Sequence, residues 1–351
     1  MAAGDQAPHG NYVTGNIKLQ LRHNIRVGTW NVRGLINEGK LHVLDYELER
    51  CNTLITGLSE THWKESGHRN LEKHTIFYSG TESSSFAGVA IAVPTPWVGS
   101  VLGYNPVNER IITMKLCASP CALNIIQVYA PTGAATEEDI EDFYRKLEEC
   151  IENIPKREIL MIIGDFNAKV GTTAHDTGLR NIVGQYGLGC RNSRGERLIQ
   201  FAADNNFTVM NTVFKHHLRR LYTWTSPNGA CRNQIDYILI RARWRSSITN
   251  THTLPGADIM SDHQLLVCNM RIRLRRPVAK KGSRRMEVID RDSFVQSLQE
   301  KDHCWHENCS TEGNVDYLWK STVQLIKDAV RESQPNNRSE KRQHWMSWMV
   351  Y

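Results

Sequence analysis

Acidic, amide and imidazole side chains recur where β-prone runs of this chain begin or end. Asn31 closes IRVGTWN, Glu60 follows TLITGLS, and Asp165 and Asn167 follow EILMIIG, while Asp236 opens DYILI and Asp262 and His263 precede QLLVCNM. Taken singly, each has an ordinary reading, because Asp, Asn and Gly end strands and cap turns in every fold. Together they make four carboxylates, two amides and one imidazole that gather at a single rim if the strands lie in one sandwich. So oxygen-rich a set suits a hard divalent cation, which takes one or two carboxylates plus waters and phosphate oxygens. Magnesium is the expected ion, with manganese as the alternative; zinc would want more nitrogen or sulfur.

Ten β-rich runs must position these groups, starting at Ile25, Thr53, Gly88, Arg110, Ala122, Glu158, Phe207, Leu221, Gln234 and Gln264. Helical periodicity predicts helices over 40–50, 137–153 with Thr136 as cap, and 193–205. Helices separated by pairs of strands imply an α/β sandwich of two packed sheets. Further helices are expected over 290–299 and 314–332.

The chain has 351 residues, 40% hydrophobic and 23% charged, enough for one large domain plus an extension. Residues 1–21 read as a disordered leader, 22–274 as the catalytic-sized domain, 275–289 as a basic linker and 290–351 as a helical extension. The stretch from Arg271 to Arg285 holds eight basic residues and no acid; it suits either nucleic-acid contact or a solvated linker. A net charge of +6 favours polyanions weakly. The nine cysteines show no zinc-like spacing and read as reduced thiols. No signal peptide or membrane span is visible, so the expected location is nuclear or cytoplasmic, neither secreted nor membrane-bound.

The set WNVRG at Trp30, SETHW at Ser59, VYAPT at Val128, GDFNAKVG at Gly164, NQIDYIL at Asn233 and SDH at Ser261 resembles the endonuclease/exonuclease/phosphatase superfamily, in the same order. Within it, RGERLIQFA, YTWTSPNG and PGADIMSDH resemble the apurinic-like endonuclease domain of RTE-clade non-LTR retrotransposons. The resemblance covers residues 22–274 and implies a four-layer sandwich of two mixed β-sheets flanked by helices. It also implies magnesium-dependent DNA nicking that leaves a 3′-hydroxyl and a 5′-phosphate, without a small-molecule cofactor. By the same resemblance Glu60 would be the main metal ligand with Asn31 beside it, and Asp262 would join the metal shell or assist the leaving group. Asp165, steered by Asn167, would deprotonate the attacking water. His263, held by Asp236, would stabilise the phosphorane-like state, and Tyr129 would bond the phosphate. Trp224 would touch the DNA groove, while Arg33, a departure from the family pattern, would either loosen the metal or touch the DNA backbone. Repair members place an Asp where this chain has Arg33, which puts efficient abasic-site repair in doubt.

Other readings of single residues stay open. Tyr129 could pack at a sheet edge and Trp224 in the core; Trp63 is an even candidate for DNA contact. His62 and His175 read as solvated, and Arg191, Arg194 and Arg197 fit a phosphate contact or a solvated face. The rival functions are a phosphatase or RNA nuclease of the same fold, and a nucleic-acid-binding module without catalysis. The final segment, 290–351, reads as a truncated retrotransposon piece.

Overall fold

A computed structural model describes residues 17–81, 87–172, 178–273, 290–309 and 315–333, with the backbone alone for 302–309. Thirteen strands form its two large sheets. They are β1 (Ile25–Asn31), β2 (Ile55–Ser59), β3 (Ser66–Asn70), β4 (His74–Ser79), β5 (Val89–Pro94), β6 (Val101–Asn108), β7 (Ile111–Leu116), β8 (Leu123–Tyr129), β9 (Ile159–Asp165), β10 (Phe207–Val209), β11 (Asp236–Arg241), β12 (Ile248–Thr253) and β13 (Leu266–Met270). One sheet runs β12-β13-β1-β2-β5-β4-β3 and the other β10-β11-β9-β8-β7-β6.

Each sheet is mixed, with one parallel pair at its centre. β1 and β2 are joined through α1 (Glu38–Arg50), and β8 and β9 through α2 (Glu137–Glu152); every other neighbouring pair is antiparallel. Central strands covered on both faces need near-continuous apolar sequence, and β8 (LNIIQVY) and β9 (ILMIIGD) are buried along their whole length. The helices start on local chemistry: Asn37 accepts from Lys40 N at 3.2 Å, and Thr136 and Asp139 form a reciprocal capping box on α2.

Three apolar clusters define four layers. Leu41, Leu44 and Leu48 of α1 cover the outer face of the seven-stranded sheet beside Trp30, Leu58 and Ile76. Phe143, Tyr144 and Leu147 of α2, with Leu198 and Phe201 of α3 (Ser193–Asp204), cover Ile126, Leu160 and Leu239 on the other side. Between the sheets lie Val27, Ile55, Phe77, Ile91, Ile125, Met161, Ile163 and Ile238. Each such side chain contributes ~1.5–3 kcal/mol on burial.

Several sequence expectations change. β3, β4, β6 and β12 were not foreseen, and FTVMNTVF supplies only the three residues of β10 before a 3₁₀ turn at Met210–Thr212. LYTWTS supplies only Trp224–Thr225, paired with Arg232–Asn233 in a two-stranded ribbon. The fold starts before Arg22: Leu19 and Leu21 are buried in the inter-sheet core, and the Leu19–Gln20 strand pairs with Ala118–Ser119. Residues 1–16 of the expected leader and the whole expected linker, 275–289, lie outside the described residues.

The chain divides into two compact units, at Leu274/Arg275. In the second, α4 (Arg291–Cys309) and α5 (Val315–Glu332) form a helix pair tied by Ser297 Oγ to Glu332 Oε2 at 2.6 Å and by Asp290 N to Ser333 O at 3.2 Å. No helix among the described residues is long and apolar enough to cross a membrane.

Candidate active site

Strand periodicity explains why the polar residues converge. Along β8 the inward row is Leu123, Ile125, Gln127 and Tyr129, and along β9 it is Ile159, Met161, Ile163 and then Asp165. Val27, Thr29 and Asn31 alternate with the outward Trp30 in the same way along β1. The carboxyl ends of the two parallel pairs therefore present Asn31, Tyr129 and Asp165 at one rim, with Glu60 just past β2. β11 and β13 run antiparallel to β9 and β1, so their amino ends reach the same rim, where Asp236 stands opposite Asp165 and His263 lies just before β13. Carboxyl ends of parallel strands are a usual place for a ligand crevice.

Hydrogen bonds link the two sheets through these groups. Asn31 Nδ2 donates to Glu60 Oε1 at 2.7 Å and to Asp165 Oδ2 at 3.0 Å. Asp165 Oδ1 accepts from Asn167 N at 2.9 Å, and Asn167 Nδ2 donates to Ala130 O at 2.9 Å. His263 Nδ1 lies 2.9 Å from Asp236 Oδ2, while its Nε2 lies 3.9 Å from Asp165 Oδ2. The ten residues to which the resemblance gives catalytic, metal or substrate roles are at this rim. Arg33, Glu60, Tyr129, Asp165, Asn167, Trp224, Asp262 and His263 line one open cleft of about 370 Å³, with Asn31 and Asp236 directly behind it.

Asp262 is tied into the rim by two donors. Its Oδ2 accepts from Arg33 Nη1 at 3.0 Å and from Trp224 Nε1 at 3.1 Å, which leaves only the buried Oδ1 without a hydrogen-bond partner. Trp224 is thus half-buried at the cleft rather than a core residue. Trp63 does not line the cleft; it packs edge-on against Tyr78 at 4.9 Å and donates to Leu35 O. Arg191, Arg194 and Arg197 are paired with Glu196, Glu137 and Glu141. His62, expected in solvent, is half-buried with Nε2 3.8 Å from Glu60 Oε2. His175 lies outside the described residues.

Burial sets the electrostatics. Asp165 is buried, and that burial together with the nearby Asp236 charge raises its carboxyl to about 7, against the pull of His263 and the donors Asn167 and Asn31. For His263 burial alone would favour the neutral ring, but the charge and hydrogen bond of Asp236, then Asp165 and Asp262, raise it to about 9. The Tyr129 phenol is pushed well above its usual range by burial and by the neighbouring Glu60 and Asp165. The site therefore joins a carboxyl poised near neutrality to an imidazole held charged, a pairing suited to proton transfer beside an anion.

Supporting residues escaped the sequence reading. Thr223 Oγ1 accepts from the backbone of Ile235 and Asp236, each at 3.0 Å, and Asn211 holds the Asp236 carbonyl and Ile238 N. Between the sheets Gln127 accepts from Thr29 Oγ1 at 3.2 Å and donates to Ser59 Oγ at 2.8 Å. Gly57 makes room for it, since a Cβ there would lie 1.7 Å from Gln127 Oε1. One signal was present: of the two amides in LNIIQVY, Asn124 and Gln127, only Gln127 shares the two-residue spacing of Leu123, Ile125 and Tyr129.

The model of the Endonuclease/Exonuclease/phosphatase family matches residues 28–263, which hold every group of this rim. The chain belongs to that family. Among curated proteins it is 45% identical over 249 residues to Craniofacial development protein 2 of Bos taurus, an alignment that takes in 71% of this chain and 41% of the bovine protein. The protein of the same name from Tragulus javanicus is 44% identical, with 71% and 42% covered. The chain thus spans about two fifths of the length of these relatives. Solved structures of the same fold include the endonuclease domain of TRAS1, a telomere-specific non-LTR retrotransposon (TM-score 0.50, 16% identity, 71% of this chain and 99% of that one). Another is the AP endonuclease LMAP from Leishmania major (TM-score 0.53, 14% identity, 71% and 88% covered).

Proposed function

We propose that this family member is a magnesium-dependent DNA endonuclease of retrotransposon origin that nicks one strand and leaves a 3′-hydroxyl and a 5′-phosphate. The observation that carries this reading is the continuous network Glu60–Asn31–Asp165 beside the His263–Asp236 pair in a single open cleft.

The donor chemistry fits a hard divalent ion, because the cleft offers carboxylate and amide oxygens, with Asp262 Oδ1 and Asp236 Oδ1 both buried and lacking a hydrogen-bond partner. Asp165, Asp236 and His263 also bring donor atoms within 4.8 Å of one another. There, however, His263 Nδ1 is engaged by Asp236 and Asp165 Oδ2 by Asn31, so Glu60, which lines the open cleft beside Asn31, is the better host. An ion held there would supply charge neutralisation at the scissile phosphate and the departing oxygen.

The protein's own groups do the rest. Asp165, poised near neutrality and aimed by Asn31 and Asn167, takes a proton from the attacking water. His263 faces the phosphate with Nε2, and Asp236 keeps its ring oriented and charged, so it stabilises the pentacovalent state. Tyr129, still protonated at neutral pH, donates to a phosphate oxygen. Arg33 and Trp224, already joined through Asp262, form a cationic and aromatic edge for the DNA backbone. A cation at Arg33 in place of an acid directs the site to nicking for reverse transcription rather than to repair.

DNA as substrate is supported by the positive net charge, by the retrotransposon-like motifs and by the names of the structural neighbours. Turnover compared on supercoiled plasmid, oligo(A) and inositol phosphates tests the choice. Nicked plasmid carrying polymerase-extendable ends is expected; preferential release of phosphate or mononucleotides would favour the phosphatase or RNA-nuclease rival. DNA binding without any cleavage in magnesium would favour a binding module.

A further inference from the structure

We propose that His62 supplies an imidazole nitrogen to the divalent ion held at Glu60, biasing the centre toward manganese over magnesium. This rests on the metal-dependent reading above and deepens it.

Glu60 Oε1 accepts from Asn31 Nδ2 at 2.7 Å, and the carboxylate also takes the Tyr129 hydroxyl. The other oxygen, Oε2, faces His62 Nε2 at 3.8 Å, too far for a hydrogen bond. Two ligands bonded to one ion at about 2.1 Å stand between about 3.0 Å apart when adjacent and about 4.2 Å when opposite. The observed separation falls inside that range, so one ion can touch both atoms without moving either residue. Glu60 lines the open cleft, so the ion's route to this pair runs past its carboxylate, with His62 Nε2 buried behind it.

The backbone is bent to create this juxtaposition. Glu60 and His62 both adopt left-handed conformations, with φ of 55° and 59°, which are costly in non-glycine residues and persist only where surroundings fix them. The surroundings do so on both sides. Gly34 N donates to Glu60 O and Leu35 N to Thr61 O, while Thr61 N and His62 N donate to Gly88 O and Ala87 O. Gly34 is itself at φ +88°, and a Cβ there would approach His62 Nδ1 to 2.9 Å, so the neighbouring loop has given up its side chain to admit the ring. A solvated histidine would need none of this.

His263 does not duplicate the role, because its Nδ1 is engaged by Asp236 and its Nε2 faces Asp165. An imidazole in place of an oxygen ligand weakens magnesium, a hard ion that keeps waters and oxygen ligands, more than manganese, a transition ion at the weak end of the Irving–Williams series.

The test adds Mn²⁺ alone to the full chain and measures its coupling to nitrogen by electron spin-echo spectroscopy. ¹⁴N modulation is expected in the wild type and lost in His62→Gln, whose Mn²⁺-over-Mg²⁺ affinity ratio should fall by about tenfold. Thermal melting establishes that the variant is folded, and the wild-type spectrum is decisive without it. Mn²⁺ binding that disappears in Glu60→Gln yet shows no nitrogen modulation, or modulation that survives in His62→Gln, overturns the assignment of His62 and leaves the metal at Glu60. Absence of Mn²⁺ binding, or binding indifferent to Glu60→Gln, overturns both.

Discussion

Asp236 and His263 illustrate how one buried contact decides a protonation state. Burial disfavours the charged imidazole, and a carboxylate 2.9 Å from Nδ1 outweighs it. Asp236→Asn removes that charge while keeping the shape. Its kcat for nicking supercoiled plasmid should fall by about 10²–10³ with KM little changed, as expected for a group that acts in the transition state. His252 shows the opposite balance away from the site. It is buried, with its Nδ1 lacking a hydrogen-bond partner, and burial together with His216, Arg220 and Arg26 lowers it to about 4. The unfolded chain therefore takes up this proton near its ordinary value of about 6.5, before the folded chain does. Stability from this group is fully present above pH 6.5 and is lost progressively as pH falls toward 4. Melting temperature followed across that window should decline in the wild type and decline less steeply in His252→Gln; identical slopes would remove His252 from the account.

At the scale of elements, the inter-sheet polar bridge is the feature most exposed to test. Gln127→Ala would strand the hydroxyls of Thr29 and Ser59 and open a void beside Gly57. A loss of about 2–4 kcal/mol in urea unfolding is expected, with the fold retained. Gln127 also marks the limit of what sequence shows. Strand ends such as Asn31, Glu60 and Asp165 were legible because apolar runs stop at them. Roles for Thr29, Ser59, Gln127, Thr223 and Asn211 depend on which strands face one another, and no local pattern encodes that. The central strands were legible for a related reason: covered on both faces, they are almost wholly apolar. β3 (SGHRN), β6 (VLGYNPVN) and β12 (ITNTHT) are sheet edges, with one side unpaired and polar residues, Gly or Pro tolerated, so their signal is faint. His62 was misjudged because a ring beside Glu60 follows from two left-handed residues that the sequence does not announce.

For the molecule as a whole, the domain is closed by its own ends. Leu21 is buried in the core, and its carbonyl accepts from Ile272 N at 2.7 Å, so first and last segments meet across the sandwich. Leu21→Ala should cost about 2–4 kcal/mol although it precedes the first motif. A fragment of residues 17–274 should nick plasmid as the full chain does, because every group of the cleft lies within it. The central claim is metal-dependent phosphodiester cleavage by this rim, and the most direct measurement is nicking of supercoiled plasmid in magnesium by wild type, Asp165→Asn and Glu60→Gln, with a chelator control. The wild type should nick and the chelator abolish it, while each variant falls by about 10²-fold or more. Nicking by Asp165→Asn at the wild-type rate, or undiminished by the chelator, would contradict it.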